Sequence, residues 1–135
     1  LRLKKERRMP ATSMNHFTIL TEDLDVTVNF YNKFLGLKAG ERPPFPFPGA
    51  WLYAGDTAVL HVIAGKTLPE PREGVIDHIA FSATGLVDTV NKLKQNNLDY
   101  SLRQFRETDP WQLFFSDPFG AKVELDYPPT EPTPN

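Results

Sequence analysis

Three histidines and one glutamate are the side chains of this sequence best suited to hold a metal ion, and their spacing repeats. His61 follows His16 by 45 residues, and Glu124 follows His78 by 46. A helical stripe stands between the members of each pair: Leu24, Val28 and Tyr31 recur as Leu86, Val90 and Leu93 at a constant offset of 62. The chain is an internal duplication, and all three of its histidines fall on corresponding positions. Imidazole and carboxylate donors suit one borderline divalent ion, Fe, Ni, Co, Zn or Mn. His16, His78 and Glu124 alone make a two-histidine, one-carboxylate set with positions left open for substrate or dioxygen. His61 is either a fourth ligand or a free acid/base, since its ordinary pKa lies near neutrality. Glu124, if it loosens from the ion, is the other group able to move a proton. No cysteine is present, so thiolate sites, disulfides and cysteine nucleophiles are excluded.

The elements that must position these groups follow from hydrophobic periodicity. His16 to Leu20 alternates as a half-buried strand, Asp23 caps a helix over Leu24 to Leu35, and Gly36 supplies its left-handed end. The proline-rich stretch Glu41 to Gly49 is an irregular loop; Trp51 and Tyr53 share a face of the next strand, and Gly55-Asp56 turns the chain into a strand from Thr57 to Ile63. A weak strand near Lys38 completes a β-α-β-β-β module spanning residues 14–64. After a polar linker the plan restarts over 75–127, with strands at His78 to Ser82, Tyr100 to Phe105, Trp111 to Phe115 and Lys122 to Tyr127, and a helix at Leu86 to Gln95. In three ligand strands the apolar neighbours (Phe17/Ile19, Ile79/Phe81, Val123/Leu125) lie opposite the candidate donor. A helix can cover those apolar faces, so the donors should point to the other side of the sheet, with Thr18 beside His16. His61 differs, with Val59 and Ile63 expected beside it.

At 135 residues and 40 % hydrophobic, the sequence suits one domain or two small modules sharing a core. Residues 1–13 hold five basic residues and one acidic, which leaves 10 basic and 16 acidic over the remainder. An acidic body argues against nucleic acid, whose backbone demands clustered cations. The basic leader 1–13 reads as a disordered extension or cloning remnant, and 128–135 as a solvated proline-rich tail. Neither a membrane span nor a secretory signal is indicated, so the default expectation is cytoplasmic.

The stretches Asn15-His-Phe-Thr-Ile-Leu-Thr-Glu-Asp-Leu24, Phe30-Tyr31, Leu35-Gly36-Leu37, Asp77-His-Ile-Ala-Phe81, Asp117-Pro-Phe-Gly120 and Val123-Glu124-Leu125 resemble the vicinal oxygen chelate superfamily. That group includes glyoxalase I, fosfomycin-resistance thiol transferases, extradiol dioxygenases and bleomycin-binding proteins. The resemblance spans about residues 14–127. It implies an α+β fold in which two βαβββ modules form an open, mostly antiparallel eight-stranded barrel around a metal, with His16, His61, His78 and Glu124 at the ligand positions. It also implies a metal-dependent lyase, isomerase, transferase or dioxygenase whose small substrate chelates the ion through neighbouring oxygens. The alternatives are specifically an Fe(II) extradiol ring-cleaving enzyme and a metal-independent drug-binding protein of the bleomycin-resistance type.

Within that superfamily the likeness is uneven. The glutathione-contacting arginine and asparagine of glyoxalase I would fall near Leu20 and Gly65, so a glutathione site is not carried over. Thr18 matches the opening strand of the fosfomycin enzymes, whereas their lysine and potassium-binding serines lack clear counterparts in Gln104 to Gln112. The extradiol triad maps to His16, His78 and Glu124, with a catalytic histidine near His61 and Phe114 close to the usual tyrosine. For substrate contacts, Arg42, Arg103 and Arg106 can supply positive charge to an anion, and Phe45, Phe47, Trp51, Tyr53 and Trp111 can line a cavity for an aromatic or apolar group. Each also has a plain reading as an edge or packing residue. A homodimer is expected, because a barrel of two small modules leaves an open sheet edge.

Overall fold

In the computed structural model, which describes residues 9–135, each half folds as a strand, a helix and three strands. Module one comprises β1 (Phe17–Thr21), α1 (Leu24–Leu35), β2 (Lys38–Gly40), β3 (Gly49–Ala54) and β4 (Thr57–Ala64). Module two repeats it as β5 (Ile79–Ser82), α2 (Leu86–Gln95), β6 (Ser101–Arg103), β7 (Trp111–Ser116) and β8 (Lys122–Tyr127). The expected basic leader falls largely on residues 1–8, which lie outside the described residues.

Local chemistry sets the helix ends. Asp23 accepts from Val26 N at 3.2 Å at the start of α1, and at its end Gly36 takes φ +71° so that its N–H reaches Asn32 O at 3.0 Å. Gly85, ahead of α2, has no side chain to cap with. Its partner comes from the proline-rich tail, where Glu131 Oε1 accepts from Gly85 N and Leu86 N at 2.7 Å each. The tail has no regular structure, as its prolines require, yet this carboxylate holds it against the positive end of α2.

The strands form two four-stranded sheets with the same order, β1-β4-β3-β2 and β5-β8-β7-β6. Parallel pairing joins β1 to β4 and β5 to β8; the remaining pairs are antiparallel. The fold is therefore α+β, with two open βαβββ modules. His16 and His78 stand one residue ahead of the paired segments rather than within them.

One apolar core serves both modules. Leu52, Leu60 and Val62 of the first sheet join Leu113, Phe115, Val123, Leu125 and Tyr127 of the second, together with Phe30, Tyr31 and Phe34 of α1 and Leu86, Val90 and Leu93 of α2. Two expectations change here. Leu52 pairs with Leu60 but Tyr53 pairs with Ala58, so Val59 is a bulge residue; it packs against the core instead of sitting beside His61. Trp111, expected at a substrate cavity, pairs with Tyr127 and packs against the core, because alternation along β7 puts it with Leu113 and Phe115. No helix among the described residues is long and apolar enough to cross a membrane.

A buried hydrogen bond ties the modules together. Tyr31, fully buried on α1, donates its hydroxyl to Asp117 Oδ2 at 2.8 Å, while Asp117 Oδ1 accepts from Phe119 N and Ala121 N at 2.9 and 3.0 Å. Burial, then the Asp117 charge, pushes the Tyr31 phenol far up, so it stays a donor. Gly120 closes this turn at φ +102°, and a side chain there would meet Arg72 at 3.0 Å. Tyr31→Phe leaves a buried carboxylate oxygen without its donor and is expected to lower stability by about 1.5–3 kcal/mol, seen as a reduced urea midpoint at unaltered slope.

Candidate metal centre

Because both sheets turn their apolar faces to the shared core, alternation sends the chemically interesting side chains to the faces turned away from it. On module one they form a row of stacked rings. His16 lies on His61 with ring centroids 3.7 Å apart and planes within 13°, and Trp51 covers the other side of His61 at 4.0 Å and 13°. Trp51 is the antiparallel partner of His61, and Thr18 its parallel one, so Thr18 lies beside the stack as expected. The row continues through Phe45, 6.3 Å from Trp51, to Phe47, stacked on Phe45 at 5.2 Å. Tyr53 donates to Glu41 O at 2.6 Å and its ring lies over Gly40, so it pins the start of the proline loop. Burial lowers the His61 pKa, helped by the charge of His16, offset by a hydrogen bond to the Ala58 carbonyl, and helped again by Arg42.

Module two carries the carboxylate. Glu124 is 6 % exposed, and its Oε1 lies 3.1 Å from His78 Nε2. Two donors each about 2.1 Å from one ion and at right angles around it stand about 3 Å apart, so this pair already has the separation of neighbouring ligands. Burial raises the Glu124 pKa, with a further push from the hydrogen bond and charge of Asp126; His78 and Arg103 act in the opposite direction. Phe114, the pairing partner of Glu124, meets the His78 ring edge-on at 5.5 Å.

Two anchoring residues escape a reading of the sequence. His16 Nδ1–H donates to Asn15 Oδ1 at 2.7 Å, and His78 Nδ1–H donates to Asp77 Oδ2 at 2.8 Å. In both modules the residue just before the histidine takes the Nδ1 proton, which leaves the Nε2 lone pair for an ion. A signal for them exists: Asn15 and Asp77 obey the same offset of 62 as the histidines.

Four donors are thus presented as two pairs, His16 with His61 and His78 with Glu124. Among the described residues, no group of three or more such side chains is gathered closely enough within one chain to hold an ion. The donor types and the His78–Glu124 spacing fit a divalent metal, and each face carries two of the four candidate donors. The arginines divide as well. Arg106, expected near the substrate, is held by Asp109 through Nε and Nη2 at 2.9 Å each, at 79 % side-chain exposure. Its charge is spent on its own loop. Arg42 packs over Phe45 and Phe47, and Arg103 lies over Phe114 beside the carboxylate.

The sequence model of the Glyoxalase/Bleomycin resistance protein/Dioxygenase superfamily matches residues 13–125. The chain belongs to that superfamily. Among its relatives, "Glyoxylase I 4" of Arabidopsis thaliana is 31 % identical over 121 residues, covering 84 % of this chain and 70 % of the relative. Glutathione transferase FosA of Serratia marcescens is 28 % identical over 116 residues, covering 84 % and 79 %. The fold is shared with fosfomycin resistance protein FosX of Listeria monocytogenes, a point mutant of which was solved with Mn(II) and 1S,2S-dihydroxypropylphosphonic acid. That superposition has TM-score 0.68 at 16 % identity and covers 90 % of this chain and 94 % of the other. The vicinal-oxygen-chelate expectation drawn from the duplicated motifs is met at the level of superfamily and fold.

Proposed function

We propose that this superfamily member is a divalent-metal-dependent enzyme acting on a small molecule whose two neighbouring oxygens chelate the ion. The observation that carries the reading is the His78 Nε2 to Glu124 Oε1 spacing of 3.1 Å, with His78 oriented through its other nitrogen by Asp77. His16, oriented in the same way by Asn15, is the third ligand. His61 has a different part. Ring lone pairs lie in the ring plane, and two planes inclined by only 13° with centroids 3.7 Å apart cannot both direct their nitrogens at one ion about 2.1 Å away. His61, held between His16 and Trp51, is the group free to carry a proton beside the metal ligands.

The division of donors supports a homodimer in which module one of one chain faces module two of its partner. Each of the two sites then receives His16 from one chain and His78 with Glu124 from the other. A bound divalent ion supplies Lewis-acid polarisation of two substrate oxygens. The protein's own contribution is to orient the ligands through Asn15 and Asp77, and to offer the ring row from Trp51 to Phe47 as an apolar wall. Names of the relatives point to enzymes, and the Listeria protein was captured with Mn(II).

Elemental analysis of untagged protein tests the reading. About one Fe, Ni, Co, Zn or Mn per chain is expected; no stoichiometric metal after reconstitution with each ion favours a binding protein, for which the ring row of module one, exposed at Phe45 and Phe47, is a suitable platform. Oxygen consumption with iron and a catechol then separates ring cleavage from redox-neutral chemistry. Asp77→Ala is expected to weaken metal binding by about 10–100-fold, measured by competition with a chelator, because His78 loses the partner that fixes its tautomer and orientation.

A further inference from the structure

Of the three arginines whose positions fit an anionic substrate, two are engaged by the protein itself. Arg106 is clamped by Asp109, and Arg42 spans Phe45 and Phe47 while its Nη2 donates to the Phe47 carbonyl at 2.9 Å. Arg103 is different. It ends β6 opposite Gln112, whose Oε1 accepts from Arg103 Nε at 2.7 Å. Its Cζ lies 4.9 Å from the Phe114 ring centroid and 5.0 Å from that of Phe105. These contacts fix the plane of the guanidinium without neutralising it, since Gln112 is uncharged and both rings are apolar. They use one of its five N–H groups. The two terminal amino groups meet no hydrogen-bond partner among the described residues.

The position matters as much as the freedom. Phe114 is a shared wall, with the His78 ring edge-on at 5.5 Å and the guanidinium over it. The other cation over that ring, Lys122 at 5.3 Å, is paired with Asp77 at 3.4 Å. A planar fork with two free in-plane donors matches a carboxylate or a phosphoryl group through parallel N–H bonds, a geometry that a lysine cannot reproduce.

We propose that Arg103 binds an oxyanion of the substrate, a carboxylate, phosphonate or phosphate separate from the two oxygens that chelate the ion. This rests on the chelate reading above and narrows it to small acids. Gln112 and Phe105 act as positioning residues that hold the fork in its plane.

The test uses the Mn(II)-loaded 135-residue chain and three probes that share one chelating pair: catechol, 3,4-dihydroxybenzoate and 3,4-dihydroxyphenylphosphonate. At least one of the two anionic probes is expected to bind about tenfold or more tightly than catechol, the range of a charge-assisted bond. R103Q is expected to erase that preference by weakening the anionic probes to the level of catechol, and R103K to restore part of it as a point charge without the fork. Which anion is preferred identifies the oxyanion. Equal binding of all three by the parent protein, or a preference that survives R103Q, overturns the assignment while leaving the chelate reading in place. Failure of the loaded protein to bind any of the three overturns the chelate reading and this inference with it.

Discussion

If the proposed metal reading holds, Glu124→Ala is expected to lower divalent-metal affinity by more than about a hundredfold, beyond the loss that follows when only an orienting partner is removed. Glu124 is the buried carboxylate of the candidate set, and its Oε1 stands in ligand register with His78 Nε2. Removing it leaves one imidazole on module two. Asp126 lies on the same face of β8, yet one of its oxygens is buried without a hydrogen-bond partner among the described residues, and its effect on Glu124 is to hold the proton there. Burial first, and Asp126 next, thus hold the proton on the metal-free carboxyl to higher pH than on an ordinary carboxylate. A carboxyl whose pKa is raised stays protonated further above the usual carboxylate range, so metal affinity should climb with pH across that range and level off once Glu124 is ionised. Titration calorimetry with Mn(II) at several pH values measures this slope. In Glu124→Gln the slope attributable to this carboxyl should vanish along with most of the affinity; a slope equal to that of the parent would assign the displaced proton to another group.

What the sequence discloses and what it hides divide along a physical line. Period and offset reveal α1, α2 and the ligand strands, because burial of one face imposes alternation that composition cannot disguise. The caps at Asp23 and Gly36 are legible for the same local reason. Contacts between distant residues are another matter. Neither the Tyr31–Asp117 bond across 86 residues nor the capping of α2 by Glu131 leaves a pattern in the chain, since each depends on how the modules pack. The bulge at Val59 escapes too: one extra residue reverses the facing of everything before it, and no turn residue announces it. Trp111 reads as a cavity residue and packs as a core one, because an aromatic in an alternating strand fits either face until its neighbours, Leu113 and Phe115, decide the register. Arg42, Arg103 and Arg106 are equivalent as letters and distinct as structures, because availability depends on which side chain each guanidinium has already met.

Mixing two inactive chains should restore activity. His16→Ala damages module one and Glu124→Ala damages module two, so each variant alone is expected to retain at most about one hundredth of the parent turnover, given the loss of a ligand. If sites form between module one of one chain and module two of its partner, a mixed dimer of the two variants places both lesions in one site and leaves the other wholly native. Random pairing makes half the dimers mixed, each with one native site of two, and recovery of about a quarter of the parent activity and metal content follows from the symmetry of the assembly. If instead the modules pair within each chain, every site carries one lesion and mixing restores nothing. The geometry leans toward the first result. Both sheets commit their apolar faces to one common core within the chain, and this turns the His16–His61 face and the His78–Glu124 face away from it. Bringing those faces together inside one chain would require breaking the Tyr31–Asp117 bond and the packing of Phe30 and Phe34 on Phe115. In the proposed dimer a second copy would bring the two faces together with that core intact.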